Sequence, residues 1–164
     1  MRKLKRLVLT AVLSIVALPM MAEGDTLFIY SPDPRSGLHV AVQEADGWHD
    51  LGQLCGSDYG PWGAEKRMYH PSLCRADDGT WRLVFQVNDN SPVLAAAYSK
   101  DLVTWRPQDY PQVTTATCEQ PLVSPSEEGF LISFRSDQGM RALIASYDFR
   151  HFSDDFPMAV YDLN

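Results

Sequence analysis

The chain has 164 residues, 14 Lys+Arg against 21 Asp+Glu and a formal net charge of −7, a length that fits one domain. Hydrophobic residues at 45% and charged residues at 21% exclude a mainly disordered chain. The acidic balance argues against nucleic acid as partner, because phosphate recognition needs clustered Lys/Arg, and the one such cluster is N-terminal.

In chain order, Arg2, Lys3, Lys5 and Arg6 form a positive stretch, Leu7 to Leu18 an apolar run broken by Pro19, and Ala22 a small residue before Glu23. This order predicts a signal peptide over 1–22, too short for a comfortable transmembrane helix. No later apolar run is long enough to span a membrane. The expectation is an exported soluble protein, periplasmic or extracellular; uncleaved, the segment would be a short membrane anchor. Cys55, Cys74 and Cys118 are an odd number for an oxidising compartment. One disulfide with a free thiol, or three buried thiols, both fit; the irregular spacing favours thiols. No Cys-x-x-Cys occurs, and His39, His49, His70 and His151 show no ligand spacing, so neither metal nor cofactor is expected.

The remaining chain reads as strands. Leu27 to Tyr30 is aromatic and aliphatic, and Leu38, Val40 and Val42 alternate with His39 and Ala41. Trp81, Leu83, Phe85 and Val87 alternate in the same way, and Phe130 to Phe134 and Ala142 to Tyr147 are further short runs. Between them stand turn clusters such as Asp77-Asp78-Gly79, Asn88 to Pro92 and Glu127-Glu128-Gly129. Short strands separated by turn residues predict an all-β fold.

A repeat selects the architecture. Pro71 and Pro121 lie 50 residues apart, as do Gly79 and Gly129, and Ser99-Lys100-Asp101 is matched by Ser146-Tyr147-Asp148. A weaker copy runs from Leu27 to Trp48. A period near 50 with three or four strands predicts propeller blades. The expectation is an incomplete β-propeller of two to three four-stranded antiparallel blades, over 26–54, 66–113 and 117–160, the first without its innermost strand. The Ser-x-Asp turns read as scaffold: the Asp accepts backbone N–H bonds and the aromatic after it packs between sheets.

Ser99-Lys100-Asp101-Leu102-Val103-Thr104-Trp105 resembles the strand-3 to strand-4 turn of the five-bladed propeller glycoside hydrolases of family 43. Tyr69-His70-Pro71 and Glu119-Gln120-Pro121-Leu122 are similar to the Arg-Asp-Pro and Trp-Ala-Pro-Glu openings of its blades. The resemblance covers roughly 26 to 156 and implies hydrolysis of arabinose- or xylose-type linkages by two carboxyl groups. The departures are local. The family's carboxylate positions fall on His70 and Leu122, and leucine cannot donate a proton. Glu119, three residues before Leu122, is expected to face the other way along the strand. The chain also supplies fewer than three of five blades.

Blade topology places Asp78-Gly79 and Ser99 to Trp105 at the back. It places Tyr59, Trp62, Tyr69, His70, Asn88, Asp89, Asn90, Glu119, Asp137 and Gln138 at the front, where a sugar would bind. Trp62, Tyr69, His70, Asn88, Asp89 and Glu119 are the candidate sugar contacts, combining aromatic faces with amide and carboxylate groups. The expectation is a sugar-binding, non-catalytic, family 43-like protein for an arabinose- or xylose-type glycan, self-associating through its open blade edges. An active or truncated hydrolase using Asp89 and Glu119, and an envelope interaction module, are the alternatives.

Overall fold

The computed structural model describes residues 26–58, 60 and 62–159; the predicted signal peptide and Tyr59 lie outside the described residues. Ten strands form three antiparallel sheets. The first holds β1 (Thr26–Tyr30), β2 (Leu38–Glu44) and β3 (Gly47–Cys55), side by side in chain order. The second holds β4 (Met68–Arg75), β5 (Trp81–Val87) and β6 (Leu94–Ser99), and the third β7 (Glu119–Ser126), β8 (Gly129–Ser136), β9 (Gly139–Ala145) and β10 (Phe156–Pro157). The one helical turn among the described residues is a 3-10 turn at Gly63–Glu65.

Four strands per blade hold in full only for the third sheet. In the second, residues 105–112 take the fourth place and meet β6 only through isolated bridges, Ser99 with Trp105, Ala96 with Asp109 and Val93 with Gln112. Pro107 and Pro111 lack the N–H groups that a continuous ladder would use. In the first sheet β1 is the strand that approaches β4, and Met68 N–H donates to Pro34 O at 2.8 Å from the β1–β2 connection. That connection therefore lies at the same end as the start of β4. The first sheet takes the places of strands two to four, and no described residue takes the innermost place.

The middle sheet explains the sequence pattern around it. Residues Arg82 to Val87 are all buried, because both faces of β5 are covered. Leu83, Phe85 and Val87 pack towards Ile29, Leu38 and Val40 of the first sheet. Val84, with Leu94 and Ala96, packs towards Val123, Phe130 and Ile132 of the third. Arg82 sits in this second interface, only 2% exposed, with its guanidinium 4.5 Å from the Tyr98 ring centroid and 4.9 Å from that of Phe130. Its Nε donates to Tyr147 O at 2.9 Å, so the buried charge is both bonded and sandwiched between rings.

The Asp residues of the Ser-x-Asp turns act as expected, but the buried residue that follows is aromatic only in the second turn and is Leu102 in the first. Asp101 Oδ1 accepts the N–H groups of Val103 at 2.9 Å and Thr104 at 2.7 Å, and Asp148 Oδ1 accepts that of Arg150 at 3.2 Å. The next residues, Leu102 (φ 62°) and Phe149 (φ 55°), are left-handed and buried. Their side chains turn inward between sheets.

Two turn glycines separate conformational strain from collision. Gly47 (φ 137°) and Gly129 (φ 142°) share a backbone conformation that favours glycine. A Cβ at Gly47 would meet nothing within 4 Å, whereas one at Gly129 would lie 2.2 Å from Ala145 O. Gly129→Ala should therefore cost about 1–3 kcal/mol more than Gly47→Ala. Urea unfolding of the two variants checks this, and equal losses would contradict the close approach of β8 to β9.

Candidate functional site

The proline repeat becomes a repeated backbone irregularity. The β4–β5 register shifts between Tyr69 and Ser72, and the β7–β8 register between Glu119 and Leu122. Pro71 and Pro121 cannot join the ladder, and the residues before them, His70 (φ 45°) and Gln120 (φ 49°), are left-handed. Such a conformation is costly for a non-glycine residue, on the order of 1–3 kcal/mol. Its recurrence at the same place in two blades marks a site that the surrounding structure enforces. Gln120 N–H donates to the buried Gln86 Oε1 at 3.3 Å, and Val123 N–H donates to Ser72 Oγ at 3.1 Å, tying the two bulges together across the sheets.

The bulge overturns the expected orientation of Glu119. Glu119 lies opposite Arg135, and Leu122 opposite Ser133. Arg135 and Ser133 are two apart on β8 and share a face, so Glu119 and Leu122 share one too. The extra residue absorbed by the bulge cancels the odd spacing. Leu122 is 61% exposed on the side of the third sheet away from the second.

Tyr69 and Asp89 meet through Arg67, with Arg67 Nη1 bonded to Asp89 Oδ2 at 2.5 Å. Hydrogen bonds from the Tyr69 hydroxyl and then Arg67 hold the Asp89 carboxyl below the usual range. Burial, and then Asp89, push the Tyr69 hydroxyl up. Asp89 is thus an ionised, engaged carboxylate, unsuited to act as a proton donor near neutral pH. Asn88 (φ 59°) serves the backbone: its Oδ1 accepts Arg67 N–H at 2.9 Å, and its N–H donates to Arg67 O at 2.9 Å. Asp137 does the same one blade later, accepting Ala116 N–H at 3.1 Å. Asn90, like Asn88, is left-handed, and Gln138 N–H donates to Ser136 Oγ at 3.1 Å within the β8–β9 turn.

A groove of about 450 Å³ runs along the front, lined by Phe28 to Pro34 on one side and by Met68 to Pro71 on the other. It holds Tyr69 and His70 and lies beside the innermost place that the first sheet leaves open. Trp62 is elsewhere: it caps the 3-10 turn, 45% exposed, with its ring edge-on to Tyr110 at 5.1 Å. The candidate contacts therefore divide into a front cluster of Tyr69, His70 and Asp89, a scaffold residue in Asn88, and the separate positions of Trp62 and Glu119. Arg67 belongs with the front cluster, and Gln120 matches His70 one blade later; neither is among the candidate contacts read from the sequence. The 50-residue offset from His70 pointed to Gln120; nothing local pointed to Arg67.

Glu44, Asp46 and His49 converge on the β2–β3 hairpin, each offering a ligand atom within 4.8 Å of the others. His49 Nε2 is 2.7 Å from Asp46 Oδ1, and that hydrogen bond pushes its pKa up. The hairpin, not a spacing of histidines or cysteines, brings this group together. The cysteines stay unpaired, and burial pushes the thiols of Cys55 and Cys118 up to about 12.

No protein-family model matches the chain, and no curated protein matches it in sequence. Solved structures do. One is a GH43 β-1,3-galactosidase determined with galactodeoxynojirimycin, at TM-score 0.64 and 10% identity over 82% of this chain and 58% of that one. A second GH43 β-1,3-galactosidase matches at TM-score 0.55 and 11% identity over 79% of this chain and 31% of that one. The chain thus spans less than two thirds of either neighbour. Its three radially packed sheets have the fold of part of a GH43-type β-propeller.

Proposed function

We propose that the chain is an exported carbohydrate-binding protein that holds a glycan at the front groove and does not hydrolyse it. The observation that carries this reading is the chemistry around the two proline bulges. His70 and Leu122 stand where the family resemblance puts the two carboxyl groups, and neither is a carboxylic acid. Asp89 is committed to Arg67 and Tyr69. Inverting hydrolysis needs one carboxyl group that gives a proton and one that activates water. Binding needs only aromatic faces and hydrogen-bonding groups, which Tyr69 and His70 supply at the groove.

The fold's relatives and the family resemblance support a glycan ligand. The structural neighbours are β-1,3-galactosidases, so β-1,3-linked galactose stands beside arabinose- and xylose-type glycans as the set to test. Titration calorimetry of the purified chain with galactan, arabinan and xylan fragments should show binding to one class. His70→Ala should weaken it at least tenfold while leaving the far-UV spectrum unchanged. Nitrophenyl galactosides, arabinosides and xylosides should release nothing above background. Release that disappears in His70→Ala would show that the protein is a hydrolase and that this reading is wrong.

A further inference from the structure

Among the described residues the stack of three sheets ends in two open faces, and each carries exposed large apolar side chains. On the first sheet the register places Phe28, Ala41 and Asp50 in one row, with Tyr30 and Trp48 on the same face. Phe28 and Trp48 are 55% and 51% exposed, yet their rings are packed together, with centroids 5.7 Å apart; Phe28 also stacks on Tyr30 at 5.9 Å and 9°. A cavity of about 380 Å³ opens between these rings, Ala41 and Asp50. On the third sheet the open face carries Leu122, Leu131, Ile144 and Phe156, around Ser133 and Ala142. Leu122 is 61% and Phe156 41% exposed. Thr26, His39, Gln43 and Asp50 share the first face and Glu119, Ser124, Ser133 and Arg135 the other, so each face is mixed, with large apolar side chains exposed at Phe28 and Trp48 on one and Leu122 and Phe156 on the other.

The two internal interfaces show what such faces are for. In each, the far face of one sheet packs on the near face of the next: Leu83 and Phe85 on Ile29 and Val40, then Phe130 and Ile132 on Val84 and Leu94. The open face of the first sheet is of one kind and that of the third is of the other. They are the two partners of every interface already present in the chain. Both faces carry mixed charge: Asp50 lies 3.5 Å from His39 on the aromatic face, and Arg135 stands opposite Glu119 on the aliphatic one.

We propose that the aromatic face of Phe28, Tyr30 and Trp48 docks on the aliphatic face of Leu122, Leu131 and Ile144 of a second copy of this chain, continuing the sheet stacking from one chain into the next. The contact is heterologous, so it closes when the rotation per chain allows it and otherwise extends. Phe28 and Tyr30 also line the front groove, whereas Trp48 does not.

Sedimentation of the full chain tests the proposal. The wild type should rise from monomer to at least twice the monomer mass as concentration increases. Trp48→Glu keeps only the aliphatic end and Leu131→Glu only the aromatic end. Each alone should remain monomeric, and an equimolar mixture should form a pair and nothing larger. Phe156→Glu, at an exposed edge, replaces Leu131→Glu if that variant does not fold. Three results would overturn the proposal: a wild-type chain that stays monomeric throughout, a Leu131→Glu chain that dimerises by itself, or a mixture that does not pair. Saturating galactan, arabinan or xylan fragments should leave the wild-type mass unchanged. Loss of the larger species with sugar would show instead that the aromatic face is a saccharide platform.

Discussion

Phe130→Ala is expected to lower the unfolding free energy by about 3–5 kcal/mol, the usual range for deleting a buried phenyl ring. Phe130 is 1% exposed and stands at the meeting point of the second and third sheets. Its ring meets Phe149 edge-on at 5.4 Å and Tyr147 at 6.2 Å, with the Arg82 guanidinium 4.9 Å from its centroid. Truncation removes the burial and also one aromatic wall of a charged group that has almost no solvent of its own. Collapse into the space is hindered, because Arg82 is fixed by Tyr147 O and by Thr80 Oγ1 at 2.6 Å. Val103→Ala, at a 53% exposed position on a back turn, should change stability by no more than about 0.5 kcal/mol. Urea unfolding with an unchanged slope provides the measurement. A loss for Phe130→Ala as small as that for Val103→Ala would mean that the two sheets do not share a packed core.

Those residues also show what could be read from the chain before its structure. The 50-residue offset located the second and third sheets, because Asp77 to Gly79 and Glu127 to Gly129 each turn the first strand of a sheet into its second, by a longer connection in the second sheet than in the third, and Leu102 and Phe149 make the same buried turn. Local chemistry was enough there. It was not enough at the bulges. Pro71 and Pro121 were visible, but the residue that each bulge absorbs is a property of the paired strand, so the facing of Glu119 could not be read from its own strand. The fragmentary fourth strand at 105–112 follows from Pro107 and Pro111, yet its pairing is set by where β6 lies. Phe28, Tyr30 and Trp48 read as ordinary strand aromatics. That their face lacks a partner depends on the order of the sheets, which no local pattern encodes. Arg67 is legible only once Asp89 is brought beside it.

Asp155 should be the most sensitive charged position in the chain. Its side chain is 1% exposed and pairs with Arg141, itself 13% exposed. Asp155 Oδ1 accepts Thr114 N–H at 2.6 Å, and Thr114 Oγ1 donates to its Oδ2 at 3.0 Å. One carboxylate thus joins the segment leading into β7, the side chain of Arg141 on β9, and the segment leading into β10. Asp155→Ala leaves a largely buried guanidinium without its counter-charge and an N–H without its acceptor, a change that costs about 3–5 kcal/mol for buried pairs. Burial alone would push the Asp155 carboxyl up, but Thr114 N–H, Arg141 and the Thr114 hydroxyl together outweigh it and hold it below its ordinary value of 3.8. A carboxyl whose folded pKa lies below its unfolded one contributes in full above the unfolded value and loses that contribution as pH falls through the folded one. The stability difference between wild type and Asp155→Asn should therefore be constant from neutral pH down to about 5 and shrink below about 4. Comparing the two proteins cancels the other acidic groups that also titrate in this range, Asp101 and Asp148 among them. A difference that persists undiminished to pH 3 would show that the carboxylate's charge is not what holds the third sheet's outer strands to the segment that leads into it.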